Sequence, residues 1–196
     1  MKKSAIYKRL GLLLCIGILG ILWNCKSTDI TDDENYTADI SKLEILLEKD
    51  TYYINIDTAL PFVTAATQQV ANALFLSRTG NTASRIDVMG DGHFITIQND
   101  SVKGDLPFFG ERRLSAGPYG GRNGGIAFEG LPSNYEKNLN KKKRKLKIKF
   151  TISQNGEPSE HYEVNLNIFP NKNATININS TFKTNMGYTG TLSAEQ

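Results

Sequence analysis

The sequence predicts a mainly β, antiparallel fold: an up-and-down barrel with one or two short helices, with a two-layer β-sandwich as the alternative. Three observations predict it. Leu146, Ile148, Phe150 and Ile152 alternate with Lys145, Lys147, Lys149 and Thr151, one face apolar and the other charged. The same alternation returns in Tyr162 to Ile168 and in Ala174 to Asn179, separated by the turn-like Asn155-Gly156-Glu157-Pro158 and Asn171-Lys172-Asn173. No strand-helix-strand rhythm accompanies these runs, and short polar connections between alternating strands make an antiparallel meander. A twisted sheet of the eight or nine strands counted this way closes on itself or splits into two layers.

The chain opens differently. Lys2, Lys3, Lys8 and Arg9 precede the apolar stretch Leu10 to Trp23, the pattern of a secretory signal. As a helix that stretch covers about 21 Å, short of the roughly 30 Å of bilayer hydrocarbon. Leu22-Trp23-Asn24-Cys25 then has the form of a bacterial lipobox, in which the cysteine after the apolar core is alkylated by a diacylglyceryl group before cleavage. Asn24 departs from the small residue usual in that place, and Cys15 lies inside the apolar core. The alternatives are an ordinary cleaved signal that leaves Cys25 as a free thiol, or an uncleaved anchor helix. The expected organisation is a signal peptide over residues 1–24, a lipidated polar tether over 25–39 and a single domain over 40–196.

Processing changes the charge. The 196-residue chain carries 23 basic and 20 acidic side chains, but four of the basic ones precede Cys25 and none of the acidic ones does. What remains has 19 basic and 20 acidic groups, so no global charge argument for nucleic acid survives. With Cys15 discarded and Cys25 acylated, disulfides and cysteine metal sites are excluded. Lys26 follows Cys25 where Asp would favour the inner membrane, which points to the outer membrane, on its periplasmic or its surface face.

Within the domain, Ile40, Leu43, Leu46 and Leu47 at helical spacing predict a helix over Ile40 to Glu48. Tyr52 to Ile56 reads as a strand. Phe62, Ala66, Val70 and Ala73, with Pro61 at a first helical position and Gly80 as a stop, predict a second helix from Pro61 to Arg78. Ile86 to Val88 and His93 to Ile97 flank Asp91-Gly92, a hairpin signal, and Ser101 to Phe109 follows Asn99-Asp100. Ile126 to Phe128, Tyr135, and Tyr188 to Leu192 supply the remaining strands.

Leu106-Pro-Phe-Phe-Gly110, the glycine-rich segment ending in Gly124-Gly-Ile-Ala-Phe-Glu-Gly130, Phe169-Pro-Asn171 and Thr175-Ile-Asn-Ile178 resemble, in that combination, the bacterial lipoproteins of domain of unknown function 4251. The resemblance spans Leu43 to Leu192. It implies a lipocalin-like β-barrel on a lipid anchor in a Gram-negative envelope. It carries over no reaction, ligand or catalytic residue.

Candidate site residues follow from composition. Phe108, Phe109, Tyr119 and Phe128 would line the mouth of a barrel cavity that takes a small apolar ligand, against the plainer account of aromatic core. Arg112 and Arg113 beside Glu111 would receive an anion there, or are simply solvated loop charges. The glycine-rich Gly117 to Gly125 precedes a strand rather than a helix, which argues against a phosphate loop. Lys141 to Lys145, continued by Lys147 and Lys149, could meet anionic headgroups or polysaccharide, although lysines on one strand face also discourage edge-to-edge pairing. His93 and His161 stand apart from any metal spacing, and no named nucleophile motif occurs, so neither a cofactor nor catalysis is expected. The function expected is a lipid-tethered binding module for a small apolar or carbohydrate-derived ligand, or a structural or protein-interaction component of the envelope.

The anchor is directly measurable. Mass analysis of the protein from its own membranes is expected to show an N-terminal Cys25 bearing acyl chains, whose buried methylenes at about 0.8 kcal/mol each hold it in the bilayer. Cys25→Ala is expected to move the protein to the soluble fraction. A free, unmodified Cys25 would remove the anchor.

Overall fold

The computed structural model describes residues 34–62, 81–112 and 124–193. The chain divides into two units, Met1–Thr37 and Ala38–Gln196, and all the strands lie in the second. Among the described residues one helix, α1 (Glu34–Leu47), precedes ten strands: β1 (Thr51–Pro61), β2 (Ile86–Asp87), β3 (Phe94–Gln98), β4 (Ser101–Leu106), β5 (Ile126–Gly130), β6 (Ser133–Asn140), β7 (Lys145–Gln154), β8 (Glu157–Ile168), β9 (Asn173–Ser180) and β10 (Met186–Ser193).

The strands form one antiparallel sheet in the order β5-β4-β3-β1-β10-β9-β8-β7-β6, with β2 pairing β1. Nearly every neighbour on this path is also a neighbour in sequence, the up-and-down order that short polar turns require. The first and last strands meet, Tyr53 opposite Ser193 through Pro61 opposite Met186. The path does not close. β5 and β6 follow one another in the chain through Leu131 and Pro132 yet sit at its two ends, so the fold is barrel-like with a seam between them.

Alternation fills the interior. In β7 Leu146, Ile148, Phe150 and Ile152 are buried, and in β8 Tyr162, Val164, Leu166 and Ile168 are fully so. Each such side chain contributes about 1.5–3 kcal/mol on leaving water. Part of the interior holds rings: Phe128 packs at 6.0 Å from Phe150 and 6.3 Å from Tyr162. Gly104 makes room for it, since a Cβ there would fall 2.4 Å from the Phe128 ring. Because β5 and β7 lie near opposite ends of the hydrogen-bonded path, these ring contacts require the sheet to curl back on itself.

Two polar devices hold the seam where strand pairing is missing. Asn155 N–H donates to the Ala127 carbonyl at 2.8 Å, and the buried Gln154 side chain accepts from the Ala127 N–H at 3.3 Å. Behind Gln154 lies a buried chain of hydrogen bonds. Tyr162 Oη–H donates to Gln154. Lys183 Nζ donates to Tyr162 Oη at 2.7 Å and to the Gly125 carbonyl at 2.8 Å, and sits 3.2 Å from Glu160 Oε2. Arg112 reaches the same Glu160 oxygen and that of Glu157, each at 3.0 Å. Glu160 and Lys183 are 0% and 1% exposed. Two cations face two carboxylates, so the cluster is neutral as a whole.

Local geometry aims these groups. The β7–β8 register jumps from Ser153 opposite His161 to Gln154 opposite Glu157, so residues 158–160 bulge, and Pro158, which has no N–H to pair, sits in that bulge. Ser180 Oγ accepts from the Phe182 and Lys183 N–H groups and donates to Glu160 Oε1 at 2.8 Å, folding the β9–β10 connection inward. Burial pushes the Lys183 ammonium below its ordinary pKa, with Glu160 opposing the shift. Burial, reinforced by Glu160, pushes the Tyr162 phenol up, so its proton stays available for Gln154.

Several expectations are corrected. α1 starts at Glu34 rather than Ile40, taking in part of the predicted tether, and an Arg144–Asp39 pair at 3.3 Å holds the helix further along. Its last turn is capped from outside, Tyr52 Oη–H donating to the Leu46 carbonyl at 2.6 Å. Asp91-Gly92 joins no hairpin, because β2 and β3 both pair with β1, along different parts of that long strand. β7 is flanked by β6 and β8, so its lysines guard no edge. Pro61 ends β1, Phe62 follows it exposed and outside any helix, and residues 63–78 of the predicted helix lie outside the described residues.

The buried cluster has a measurable consequence. Glu160→Gln leaves Lys183 charged and under-compensated, a loss expected to cost about 3–5 kcal/mol. Urea denaturation should show it as a lowered midpoint with unchanged slope. The double change Glu160→Leu with Lys183→Met is expected to cost less than Glu160→Gln alone. Equal stability of Glu160→Gln and wild type would refute a structural role for the cluster.

Candidate functional site

Of the aromatic residues singled out in the sequence, the three that are described, Phe108, Phe109 and Phe128, have different surroundings. Phe128 is fully buried in the ring-filled interior. Phe108 is half-buried, with Lys183 Nζ 5.6 Å from its ring centre, and so belongs to the surroundings of the ionic cluster. Phe109 points outward, 43% exposed. Tyr119 and Arg113 lie outside the described residues, as does Cys25. Arg112 is no solvated loop charge but the double ion pair already described.

A depression lined by polar and charged side chains lies on the outer face of β6 to β9. It is an open groove of about 600 Å³ lined by Asn134, Glu136, Lys149, Thr151, His161, Glu163, Asn179, Ser180 and Thr181. Every one of these side chains carries a polar group. The groove exists because β6 is irregular: pairing shifts between Ser133 opposite Thr151 and Glu136 opposite Lys149, so that Asn134 and Tyr135 together face Phe150. Asn134 takes a φ of 53°, which asparagine tolerates better than most residues. The Tyr135 ring stacks on Phe150 at 6.5 Å, which fixes the irregularity and leaves the neighbouring polar side chains on the outer face.

Charges in the groove are organised by one ion pair. Lys149 Nζ lies 2.8 Å from Glu163 Oε1, and Asn179 donates to Glu163 Oε2 at 3.5 Å. The hydrogen bond from Lys149, then that from Asn179, hold the Glu163 carboxyl below its ordinary value. The same bond, with Glu136 adding to it, holds Lys149 above its own. Both groups are therefore charged near neutrality, offering a donor and an acceptor side by side.

At the rim, His161 Nδ1 lies 3.1 Å from Ser153 Oγ. Among the described residues no carboxylate hydrogen-bonds this imidazole, so the pair lacks the third group that orients a base in a nucleophilic triad. No cluster of three or more His, Cys, Asp or Glu suited to a metal occurs among the described residues.

Sequence reasoning missed both assemblies. Glu160 and Gln154 sit in register with the inward faces of β8 and β7, two residues from Tyr162 and Ile152, and continuing the alternation by one step would have exposed them as buried polar groups. Lys183 lies in a connection with no periodicity and had no such signal. The groove residues occupy outward positions, indistinguishable in sequence from a solvated face.

These features define a mainly β, barrel-like antiparallel domain with a ring-filled core and a polar groove on its outside. The chain belongs to the family described as Domain of unknown function (DUF4251), which matches residues 34–192. No curated protein and no solved structure matches it.

The ion pair predicts a titration. Because its folded pKa is depressed, the Glu163 carboxylate stabilises the groove above the ordinary value of 4.5, and that contribution is lost as pH falls through the lower folded value. Carboxyl-carbon NMR should place the Glu163 midpoint below 4.5. Lys149→Met should raise it; an unchanged midpoint would mean that Lys149 does not set the charge of the groove.

Proposed function

We propose that this protein is an envelope lipoprotein, held to the outer membrane by acyl chains on Cys25, that binds a hydroxyl-rich, carbohydrate-derived ligand on its outer sheet face. The observation that carries the reading is the groove of about 600 Å³ at the β6 irregularity, lined throughout by amide, hydroxyl, imidazole and charged side chains. A small apolar ligand inside the barrel is supported less well, since Phe128, Phe150 and Tyr162 occupy the interior. Neighbouring donors and acceptors at fixed positions, such as Lys149 with Glu163, suit the paired hydroxyls of a sugar ring, each bond to a charged group contributing about 1.5–3 kcal/mol.

Isothermal titration against a panel of envelope and dietary oligosaccharides tests this. At least one glycan is expected to bind, and Glu136→Ala and Asn179→Ala are each expected to weaken it about tenfold or more, with the melting temperature nearly unchanged. A folded protein that binds none of the panel would defeat the proposal. The second reading, a protein-interaction component of the envelope, is favoured by Leu131, which stands 77% exposed at the open seam. A reproducible membrane-protein partner lost on Leu131→Asp would decide for it.

A further inference from the structure

We propose that the basic end of the domain, where the β6–β7 turn meets α1, docks on phosphate-bearing lipid headgroups. Lys141, Lys142, Lys143 and Arg144 form the turn in succession, and Lys145 opens β7. Two of them are answered by described acidic side chains of α1: Glu44 pairs with Lys141 at 2.7 Å and Asp39 with Arg144 at 3.3 Å. Among the described residues no carboxylate lies within ion-pair distance of Lys42, Lys142, Lys143 or Lys145. A pocket of about 370 Å³ opens at this place, with Lys42, Lys143 and Arg144 set against Phe169, Pro170 and Asn171, and with the Arg144-paired Asp39 as the one carboxylate in its lining.

The backbone of the turn is held in place, and the cations it carries repel one another. Lys143 N–H donates to Asn140 Oδ1 at 2.9 Å and Arg144 N–H to the Lys141 carbonyl at 3.1 Å, while Arg144 keeps a φ of 45°. The turn thus carries a long cationic side chain where glycine or asparagine would sit at lower cost. Burial, and then the charges of Lys143 and Lys147, push the Lys145 ammonium down, so an arriving anion relieves repulsion already present. Edge protection does not account for the cluster, because β7 is paired on both sides.

The phosphate chemistry stands on these residues alone; the choice of a membrane as its source rests on the acyl anchor proposed at Cys25. α1 begins nine residues after Cys25 and Lys42 lies eight residues further on. Nine residues reach at most about 30 Å, which keeps this end of the domain within range of a headgroup layer. Lysines near an anionic surface each strengthen binding by about fivefold, an effect that salt screens.

The test uses the full chain carrying Cys25→Ser, so that acylation cannot contribute, with vesicles of phosphatidylcholine alone or with phosphatidylglycerol added. Adding Lys42→Gln, Lys142→Gln and Lys143→Gln leaves the leader segment common to both proteins. The triple change is expected to weaken binding to the phosphatidylglycerol vesicles at least tenfold at low salt, and Lys103→Gln, which removes an exposed lysine on β4, is expected to leave it unchanged. Equal binding by parent and triple variant overturns the proposal, as does an equal loss with Lys103→Gln. If inorganic phosphate shifts the Lys143 and Asn171 amide resonances while vesicle binding is the same in both proteins, the pocket takes a soluble phosphate and membrane docking is overturned. Whether Cys25 itself is acylated is decided separately by the mass of the native N-terminus.

Discussion

Glu160 and Lys183 meet where neither side chain is exposed to solvent, with the partly exposed Arg112 bonded to the same carboxylate, and the barrel-like shape depends on that contact. Hydrogen-bonded strands run unbroken from β5 to β6 around the sheet, and between those two ends the backbone ladder is missing. The chain Glu160, Lys183, Tyr162, Gln154 and Ala127 crosses the gap with side-chain bonds instead. Lys183 adds the Gly125 carbonyl, so the start of β5 is tied to β8 and to the β9–β10 connection together. A buried pair of this kind adds little net stability over a well-packed apolar pair, and its value is positional: it is satisfied in one arrangement only.

That closure leaves the interior to rings, and the candidate site lies outside. Phe128 fills the volume that Gly104 leaves empty, against Phe150 and Tyr162, and Tyr52 and Tyr188 are buried as completely. The outer face of β6 to β9 has no such obligation. There the extra residue in β6 stacks Tyr135 on Phe150 and opens a polar groove beside it. The same strand irregularity therefore belongs to the packing on one side of the sheet and to the candidate site on the other.

How far the sequence could be read depended on whether a residue's neighbours were local. β7, β8 and β9 were legible because period-two alternation is written in adjacent residues. Asp91-Gly92 misled because a turn dipeptide states only that the chain bends: β1 was long enough to pair with β3 along Thr51–Asn55 and with β2 at Thr58 and Ala59. Phe128 and Phe109 look alike in sequence, yet one is buried and the other exposed, since the partner that hides Phe128 comes from strands more than twenty residues away. The lysines of β7 looked like edge guards until both neighbouring strands were in view.

By itself the sequence determined the antiparallel β character, the order of the meander from β7 to β10, the near-neutral balance after Cys25 and membership in a family. Those properties rest on side-chain periodicity, covalent connection and composition, which act over a few residues. Only the tertiary structure decided that the hydrogen-bonded path stays open between β5 and β6, that Glu160 and Lys183 are buried partners, that the interior is filled by Phe128, and that Asn134 and Asn179 line one groove. Each of these is a meeting of residues distant in the chain. The free energy of such a meeting comes from desolvation and packing in three dimensions, which no local pattern encodes.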